Sequence, residues 1–213
     1  MSAEIQPAAI NEQKRALRKR MRAMRLVAEQ KEGPDAALAV ARLALARLDD
    51  LGLASGAVVA GYWPISTELD VRPLLARLES AGIACALPAI KEGCDVLVFR
   101  RWRPGEDLLP GVFETRQPPP EAQPVDPDAL LVPLLAVDER GTRLGHGRGW
   151  YDRTLAALRR GCGGSGRPLA IGVCFASQVI GNVPCDALDQ PIDWILTGEG
   201  LMRCERSRAD LER

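Results

Sequence analysis

The sequence predicts an α/β protein, a three-layer sandwich in which a mostly parallel central sheet carries helices on both faces. Short apolar runs without polar alternation indicate strands that are covered on both sides, and the clearest is Ala57-Val58-Val59-Ala60-Gly61-Tyr62. Segments with apolar residues at three- and four-residue steps stand between these runs. Strands that are separated by helices favour parallel pairing, because a crossover returns the chain to the same end of the sheet.

Helix-forming composition, apolar spacing and end signals predict four helices. Pro34 suits the first turn of the second helix and Gly52 its C-cap, so a break is expected between the first two helices. The predicted helices comprise residues 11–30, 35–51, 70–80 and 150–160. The apolar face of the first helix comprises Leu17, Met21, Met24 and Val27 or Ala28.

Short apolar runs also set the predicted strands, which comprise residues 57–62, 83–87, 96–101, 129–132, 169–175 and 193–197. The second and third strands form a hairpin, and Pro88 is expected to end the second. Residues 109–127 carry repeated prolines, which predicts an extended surface connection, and residues 161–166 form a glycine-rich connector. Ligands of such sheets bind beyond the carboxyl ends of the strands, where the loops at residues 63–68 and 137–149 should lie.

Length and composition favour one globular domain. We expect a disordered lead-in at residues 1–10, a single α/β domain at residues 11–202 and a charged tail at residues 203–213. Lys plus Arg and Asp plus Glu number 28 each, so no overall field favours nucleic acid or a membrane surface. The 6 cysteines lack the spacing of a zinc site or a disulfide framework, and no segment has the pattern of a leader or a membrane span. These features indicate a cytoplasmic protein with reduced thiols.

The segment Arg143-Leu144-Gly145-His146-Gly147-Arg148-Gly149-Trp150-Tyr151-Asp152 has the composition of a phosphate site. Glycines let successive backbone N–H groups converge on an anion, and a helix that starts at Trp150 adds unpaired donors. The glycine spacing matches neither a Walker A sequence nor a Rossmann turn, so by spacing alone a flexible turn is an equal alternative. Arg143 and Arg148 favour the phosphate site, because they add forked donors for phosphate oxygens.

Two side chains of this segment have alternative interpretations. Asp152 is a candidate ligand of a divalent cation that bridges phosphate oxygens, or a first-turn acid that complements the helix dipole. His146 is the only histidine of the sequence. Between two glycines it has no evident partner, so a solvent-facing side chain or a simple nucleotide contact is expected rather than an acid–base role.

Groups of residues in fixed order over nearly the whole chain form a larger pattern. They are Lys14-Arg15-Ala16-Leu17-Arg18, Tyr62-Trp63-Pro64 with Glu68, Val132-Pro133 with Val137-Asp138, the segment at 143–152, and Val183-Pro184 with Asp189, Asp193 and Thr197. This pattern resembles the 5-formyltetrahydrofolate cyclo-ligase family, also called 5,10-methenyltetrahydrofolate synthetase. The resemblance implies the NagB/RpiA/CoA-transferase-like form of the three-layer sandwich.

The activity that the resemblance implies is an ATP- and Mg²⁺-dependent conversion of 5-formyltetrahydrofolate to 5,10-methenyltetrahydrofolate, with release of ADP and phosphate. In the mechanism attributed to the family, the formyl oxygen attacks the γ-phosphoryl group of ATP, and nitrogen 10 then adds before phosphate departs. Such chemistry needs positioned charges rather than a covalent nucleophile. The implied partners are a reduced folate and ATP, bound by a monomer or weak homodimer.

The resemblance also assigns roles to residues of this chain. Arg148 is the implied catalytic residue, in contact with the transferring phosphoryl group. Asp152 and Asp189 are the implied magnesium ligands, with Asp186 and Asp193 as nearby competitors. The implied ATP-binding residues are Lys14, Arg18, Arg143, Leu144, Gly145, His146, Gly147, Arg148, Gly149, Trp150 and Tyr151. The implied folate-binding residues are Trp63, Glu68, Gly147, Arg148, Gly149, Trp150 and Tyr151.

Several of these residues have plainer interpretations. The basic run from Lys14 to Arg25 is by itself typical of a solvated helix face, and Glu68 is also explained as an acid near a helix start. Trp150 stands where the family commonly has a tyrosine, which keeps ring stacking but removes a hydroxyl. Residues 111–121 depart from the family pattern, so no substrate contact is implied for them.

Two other functions remain open. A sugar-phosphate isomerase or sensor of the same fold group would not consume ATP, and it rests on fold analogy alone. A folate-binding homologue without turnover is the second. The presence of Lys14, Arg18, Arg148 and Asp152 argues against it, because a pure folate binder has no use for an ATP-phosphate site.

Overall fold

Residues 7–161 and 168–205 are described by the computed structural model, and a seven-stranded sheet lies at its centre. The helices are α1 (Pro7–Ala46), α2 (Arg72–Ser80) and α3 (Trp150–Gly161). The strands are β1 (Val58–Ala60), β2 (Ala84–Ile90), β3 (Leu97–Arg101), β4 (Leu109–Pro110), β5 (Arg116–Gln117), β6 (Ala129–Pro133), β7 (Ala136–Val137), β8 (Arg143–Leu144), β9 (Leu169–Val173), β10 (Trp194–Leu196) and β11 (Leu201–Arg203). Short 3₁₀ turns lie at Val112–Glu114 and Ala176–Gln178.

The strand order of the central sheet is β11-β10-β9-β6-β1-β2-β3. The inner strands run parallel to one another, while the edge strands β3 and β11 run antiparallel to their neighbours. Val59 of β1 lies opposite Cys85 on one side and Ala129 on the other, and all three are fully buried. The mostly parallel sheet and its β2–β3 hairpin, both predicted from the sequence, are confirmed.

Helices cover both faces of the sheet, as predicted. Successive strand residues point to opposite faces, so Leu130 and Leu131 of β6 belong to different core clusters. The cluster of Leu131 includes Val40 of α1 and Leu75 of α2, whereas the cluster of Leu130 includes Leu155 of α3. No helix within the described ranges combines the length and the apolar character needed to cross a bilayer.

The two helices predicted at residues 11–30 and 35–51 are one helix, α1, which continues through Pro34. A proline inside a helix costs about 3 kcal/mol, because it removes a hydrogen bond and crowds the preceding turn. The packing of the following residues on the sheet offsets this cost, so the predicted break is wrong. The buried residues of α1 after the proline are Ala36, Ala37, Val40, Ala41 and Ala44.

Both ends of the domain differ from the predicted bounds. Since α1 begins at Pro7, a disordered lead-in is wrong for residues 7–10. Arg203 belongs to β11, and the N–H of Cys204 donates to the carbonyl of Asp193 at 2.9 Å, so a charged tail is wrong for these two residues. The remaining parts of the predicted lead-in, tail and connector at 1–6, 206–213 and 162–166 lie outside the described residues.

Pro88 lies inside β2 instead of ending it. The pairing of β1 with β2 extends only as far as Ala86, whereas Pro88 lies opposite Phe99 of β3. The missing N–H of a proline is tolerated where a strand is paired on one side. The second strand is therefore longer than its sequence predicts, and it carries the chain toward the cavity described below.

Two short hairpins stand near the carboxyl ends of the inner strands. The proline-rich segment is not only an extended connection, because Leu109 of β4 pairs with Gln117 of β5. The Gln117 side chain accepts a hydrogen bond from the N–H of Ile90, at the end of β2, at 3.2 Å. The second hairpin pairs β7 with β8 and leads into residues 145–149, which we call the glycine loop. The fold thus brings separate loops to one edge of the sheet.

Candidate active site

A cavity of about 1080 Å³ opens at this edge of the sheet, where ligands of parallel α/β sheets bind. Its wall is formed by α1, the loop after β1, the β4–β5 hairpin, the glycine loop, the first turns of α3 and the loop at 186–190. The residues predicted to bind ATP, folate or metal all line this cavity, and they are Lys14, Arg18, Trp63, Glu68, Arg143, Leu144, Gly145, His146, Gly147, Arg148, Gly149, Trp150, Tyr151, Asp152 and Asp189. The volume exceeds that of a typical pocket for one small ligand.

The glycine loop requires glycine at two positions. Gly147 and Gly149 have φ angles of +99° and +68°, in the region that other residues rarely adopt. A Cβ atom on Gly147 would lie 3.2 Å from Cζ of Arg18, and one on Gly149 would lie 2.8 Å from Nη1 of Arg153. The backbone of the loop therefore lies against the side chains of Arg18 on α1 and Arg153 on α3. Backbone N–H groups and arginines at a helix start are a favourable arrangement for an anion.

Arg18 supports the glycine loop from α1. Its Nε donates a hydrogen bond to the carbonyl oxygen of Gly145 at 3.0 Å, and its guanidinium lies beside Gly147. Arg22, one turn further along α1, lines the same cavity. Because α1 and the glycine loop form one wall, the positively charged side chains of Arg18 and Arg22 lie on the same wall as the backbone N–H groups of the loop.

Lys14, one turn before Arg18, is buried between two carboxylates. Its Nζ donates to Oδ2 of Asp186 at 2.7 Å and to Oδ2 of Asp189 at 2.5 Å, and only 4% of the residue is exposed. Burial by itself lowers the pKa of Lys14, but the hydrogen bonds and the charges of the two carboxylates outweigh burial and raise this pKa above its ordinary value. Lys14 is therefore a charged residue that is tied to the loop at 186–190.

Asp152 and Asp189, the predicted metal ligands, lie on adjoining segments. Oδ1 of Asp152 accepts a hydrogen bond from Nη2 of Arg143 at 2.7 Å. The same oxygen accepts the backbone N–H of Gln190 at 3.0 Å, so Asp152 contacts the residue that follows Asp189. Each of the two carboxylates is balanced by a cation, Asp152 by Arg143 and Asp189 by Lys14.

The described residues contain no group of three or more His, Cys, Asp or Glu side chains that could hold a metal ion. Mg²⁺ that is bound together with phosphates commonly takes one or two carboxylates, so Asp152 and Asp189 suit a site that phosphate oxygens complete. The two competitors are placed differently. Asp186 contacts Lys14, and Asp193 pairs with Arg159 at 3.1 Å and does not line the cavity.

Glu68 lies on another wall of the cavity and is only 8% exposed. Its Oε2 accepts the N–H of Ile65 at 3.1 Å, while its Oε1 lies 3.1 Å from Nε2 of His146 and 3.8 Å from Nη1 of Arg25. The expectation that His146 has no partner is therefore wrong. The sequence could not indicate this pair, because 78 positions separate the two residues along the chain.

Arg25 is a site residue that the sequence interpretation missed. It is 2% exposed, and its Nε donates to Oγ1 of Thr67 at 3.0 Å. The predicted apolar face of this helix is wrong for Met24 and Val27, which are 37% and 62% exposed. The available signal for Arg25 was its step of four residues from Met21, because such positions share one side of a helix. The inward side of α1 comprises Lys14, Arg18, Met21, Arg25 and Ala28.

Arg148, the predicted catalytic residue, contacts the β4–β5 hairpin. Its Cζ lies 3.7 Å from the centroid of the Phe113 ring, a cation–π contact. Phe113 and Glu114 have φ angles of +59° and +63°, and Phe113 is 45% exposed at the rim of the cavity. The side chain of Arg148 thus rests on an aromatic ring.

The other aromatic residues of the prediction also have protein neighbours. Trp63 packs edge-on against Trp102 with ring centroids 6.4 Å apart, and Cζ of Arg153 lies 5.1 Å from the ring centroid of Trp150. Tyr151 packs against the core on the α3 side of the sheet. Trp63 and Trp150 therefore line the cavity while neighbouring side chains fix their positions, which leaves flat apolar surface for a ring-shaped ligand.

Comparison with known proteins identifies related enzymes. The model of the 5-formyltetrahydrofolate cyclo-ligase family matches residues 10–198 of this chain. The 5-formyltetrahydrofolate cyclo-ligase of Mycolicibacterium smegmatis is 32% identical over 151 residues, covering 67% of this chain and 74% of that protein. The enzyme of the same name from Escherichia coli strain K12 is 30% identical over 144 residues, covering 65% of this chain and 76% of that protein.

Solved structures give the same relationship. The NMR structure of Aquifex aeolicus 5,10-methenyltetrahydrofolate synthetase is similar to this chain with a TM-score of 0.69 and 27% identity, covering 92% of this chain and 94% of that one. A 5,10-methenyltetrahydrofolate synthetase from Mycoplasma pneumoniae has a TM-score of 0.65 at 23% identity, covering 87% of this chain and 98% of that one. The second similarity supports the α/β fold.

Proposed function

This chain belongs to the 5-formyltetrahydrofolate cyclo-ligase family, and from that premise we propose that it is a ligase that converts 5-formyltetrahydrofolate to 5,10-methenyltetrahydrofolate. The reaction consumes ATP, requires Mg²⁺ and releases ADP and phosphate. One observation carries the proposal. A single cavity contains a phosphate-type wall, with the glycine loop and Arg18, and a separate wall with the buried carboxylate of Glu68 and Trp63.

The nucleotide phosphates lie at the glycine loop in this proposal. Backbone N–H groups at the start of α3 and the guanidinium of Arg18 would donate to phosphate oxygens. Lys14 is close enough along α1 to join them, because it precedes Arg18 by one helical turn. Its present partners, Asp186 and Asp189, keep the charge of Lys14 in place until an anion competes for it.

Two carboxylates that line the cavity would hold a magnesium ion together with the phosphates. Asp152 and Asp189 would hold the ion, each with one oxygen that makes no hydrogen bond to the described part of the chain. When bound, the ion would neutralise phosphate charge during transfer. Arg143, which is 5% exposed, contacts Asp152 and so fixes the direction of this carboxylate from behind.

The folate lies toward Glu68. The polar edge of a pterin presents amide and amino N–H groups, which suit a carboxylate acceptor. Glu68 is well prepared for this role, since Ile65 and Arg25 hold its carboxylate from behind. Trp63 and the exposed ring of Phe113 provide apolar surface near the same cavity for the rings of the substrate.

The proposed reaction phosphorylates the formyl oxygen, which turns this oxygen into a good leaving group. The formyl oxygen attacks the γ-phosphorus of ATP, and the bond to ADP breaks. Nitrogen 10 then adds to the activated formyl carbon and loses its proton, and the carbon–oxygen bond breaks as phosphate departs. Arg148 would neutralise charge on the transferring group.

An absorbance assay tests the proposed function. Purified protein with 5-formyltetrahydrofolate and Mg-ATP should form the methenyl chromophore, and omission of ATP or chelation of Mg²⁺ should abolish it. Folate binding without any chromophore would instead support a folate-binding homologue without turnover. Failure to bind both folate and ATP, with turnover of a sugar phosphate, would support the isomerase alternative and contradict the ligase.

We also propose that the protein acts in the cytoplasm as a monomer or weak homodimer. Free thiols among the described residues suit a reducing compartment, and they include Cys85, Cys94, Cys174 and Cys185. Size-exclusion chromatography with light scattering would measure the mass of the particle. A stable higher oligomer at micromolar concentration would contradict this part of the proposal.

A further inference from the structure

We propose that His146 couples the folate and nucleotide sites of the cavity. In this inference its imidazole holds Glu68 and gives up this carboxylate when folate binds. The inference rests on the proposed function, because it takes Glu68 as the acceptor for the pterin. His146 is then a positioning residue that joins the two substrate sites.

The carboxylate of Glu68 is nearly closed off from the cavity, because only 4% of its side chain is exposed. Oε2 is occupied by the N–H of Ile65 at 3.1 Å, and Oε1 faces both His146 and Arg25. Arg25 is fixed in turn, because its Nε donates to Thr67 at 3.0 Å and its Nη1 to the carbonyl of Leu134 at 3.5 Å. His146, with 32% of its side chain exposed, is the contact of Glu68 that is open to the cavity. A donor on a ligand therefore reaches Oε1 by replacing the imidazole.

His146 also belongs to the glycine loop, so its contact restrains that loop. The loop is held at two adjacent points: Arg18 contacts the carbonyl of Gly145 at 3.0 Å, and Glu68 contacts His146 at 3.1 Å. Gly147, with its φ of +99°, follows directly and supplies the backbone freedom for a rearrangement. When the contact between Glu68 and His146 is lost, the loop stays attached through Arg18. The backbone after His146 is then free to close around phosphate.

This arrangement predicts positive coupling between the two ligands. Folate that displaces His146 leaves the loop ready for the nucleotide, and by linkage the nucleotide favours folate by the same factor. His146 also competes with folate in the free protein. Removing the imidazole should therefore tighten folate binding in the absence of nucleotide by roughly tenfold, the order expected for one hydrogen bond to a charged group.

Calorimetric titration separates these effects. 5-Formyltetrahydrofolate would be titrated into the full chain with and without magnesium and a non-hydrolysable ATP analogue, for the unaltered protein, His146→Ala and His146→Gln. Tighter folate binding and a coupling factor near one in His146→Ala support the inference. His146→Gln should restore part of the coupling, because its amide N–H₂ can donate to Glu68. Lys19→Gln, on the exposed side of α1, is the matched control.

Other outcomes overturn the inference in distinguishable ways. Weaker folate binding in His146→Ala would make His146 a direct ligand contact, and unchanged affinities would show that the contact with Glu68 is incidental. Coupling that persists in His146→Ala would place the link elsewhere. If the unaltered protein bound no folate, the proposed function would fall, and the inference with it.

The lone histidine offers a second readout that does not depend on affinity. Because the sequence contains 1 histidine, the imidazole resonances of the labelled protein belong to His146 alone. Addition of folate without nucleotide should shift the ¹⁵N signal of Nε2, because its partner changes from a carboxylate to solvent or phosphate. An Nε2 signal that stays unchanged at saturating folate would contradict displacement.

Discussion

Nζ of Lys14 lies 2.5 Å from Oδ2 of Asp189, so a predicted phosphate ligand and a predicted metal ligand are each other's partners. Each of these charges thus lies beside an opposite charge of the chain itself. When a nucleotide binds with its magnesium ion, phosphate can take the place of Asp189 beside the ammonium of Lys14. The metal ion can take the place of Lys14 beside the carboxylate of Asp189. We therefore expect the two to bind together more readily than either alone.

Replacement of Lys14 by Gln tests this exchange. We expect at least tenfold weaker binding of an ATP analogue, because a phosphate partner is lost. Stability should fall by about 1–3 kcal/mol, because Asp186 and Asp189 lose a buried cation. Calorimetry and urea unfolding would measure the two quantities. Lys19→Gln on the exposed side of the same helix should change neither, and equal effects of both substitutions would contradict the assignment of Lys14.

Acid should remove the contribution of Asp186 to stability. Burial by itself raises the pKa of Asp186, but the hydrogen bond from Lys14 and its other contacts lower this pKa below its ordinary value. A lowered folded-state pKa stabilises the protein above the unfolded-state pKa, about 4, and this stabilisation is lost as pH falls through the folded-state value. Urea unfolding of Asp186→Asn should therefore show lower stability than the unaltered protein at pH 7 and a shrinking difference below about pH 4. A difference that grows toward acid would contradict this sign.

Arg148→Ala should abolish most turnover while the fold is retained. The side chain is exposed and contacts Phe113, so its removal leaves no buried group unpaired. We expect a loss of about 10²-fold or more in kcat, the scale found when a group that stabilises transition-state charge is removed. Circular dichroism would check the fold, and Arg77→Ala, exposed on α2, is the control. Near-normal turnover in Arg148→Ala would refute the catalytic assignment.

Glu68→Gln should weaken folate binding more than nucleotide binding. A glutamine presents N–H groups where the pterin also donates, and it leaves the buried guanidinium of Arg25 without its countercharge. A roughly tenfold or larger rise in the folate Kd is expected, with a small change for an ATP analogue. Parallel titrations of both ligands measure this ratio, with Glu12→Gln on the exposed side of α1 as the control. The reverse ratio would place Glu68 in the nucleotide site.

The cysteines should differ sharply in reactivity. Burial raises the pKa of Cys85 and of Cys174 to about 12, so neither thiol ionises appreciably near neutral pH. Cys185 is exposed. Iodoacetamide at pH 8 should therefore label Cys185 well before the other two in the native protein, and urea should remove the difference. Peptide mass spectrometry resolves each site, and rapid labelling of Cys85 in the native state would contradict its buried position.

Local pattern was sufficient to predict six of the seven strands of the central sheet, all but β11, because an apolar run such as Ala129–Pro133 depends on neighbouring residues. The continuity of α1 was not predictable in this way. Pro34 is a local signal for a break, and it is overridden by alanines whose burial depends on the sheet they contact. Long-range packing, which the sequence does not display, decided the outcome.

Local sequence predicted one part of the candidate site, and long-range packing decided the other part. The glycine loop is contiguous, so its composition and the helix after it predicted a phosphate site directly. Glu68 and His146 meet only because β1 and the β7–β8 hairpin end at the same edge of the sheet. Arg25 was concealed for another reason. A basic residue among other basic residues gives no sign of whether it faces water or a carboxylate, although its step from Met21 places the two on one side of the helix.

The unbroken course of α1 has a mechanical consequence. Lys14, Arg18 and Arg25 are carried by one continuous helix, a single rod, so a movement of its backbone reaches Asp189, the glycine loop and Glu68 together. A small tilt of the rod would change all three contacts at once. The alanines beyond Pro34 anchor the far end of the rod in the core. One end of α1 is thus fixed by hydrophobic packing, and the other end carries the charged residues of the cavity. We therefore expect that a substitution deep in the core can alter catalysis without touching the cavity.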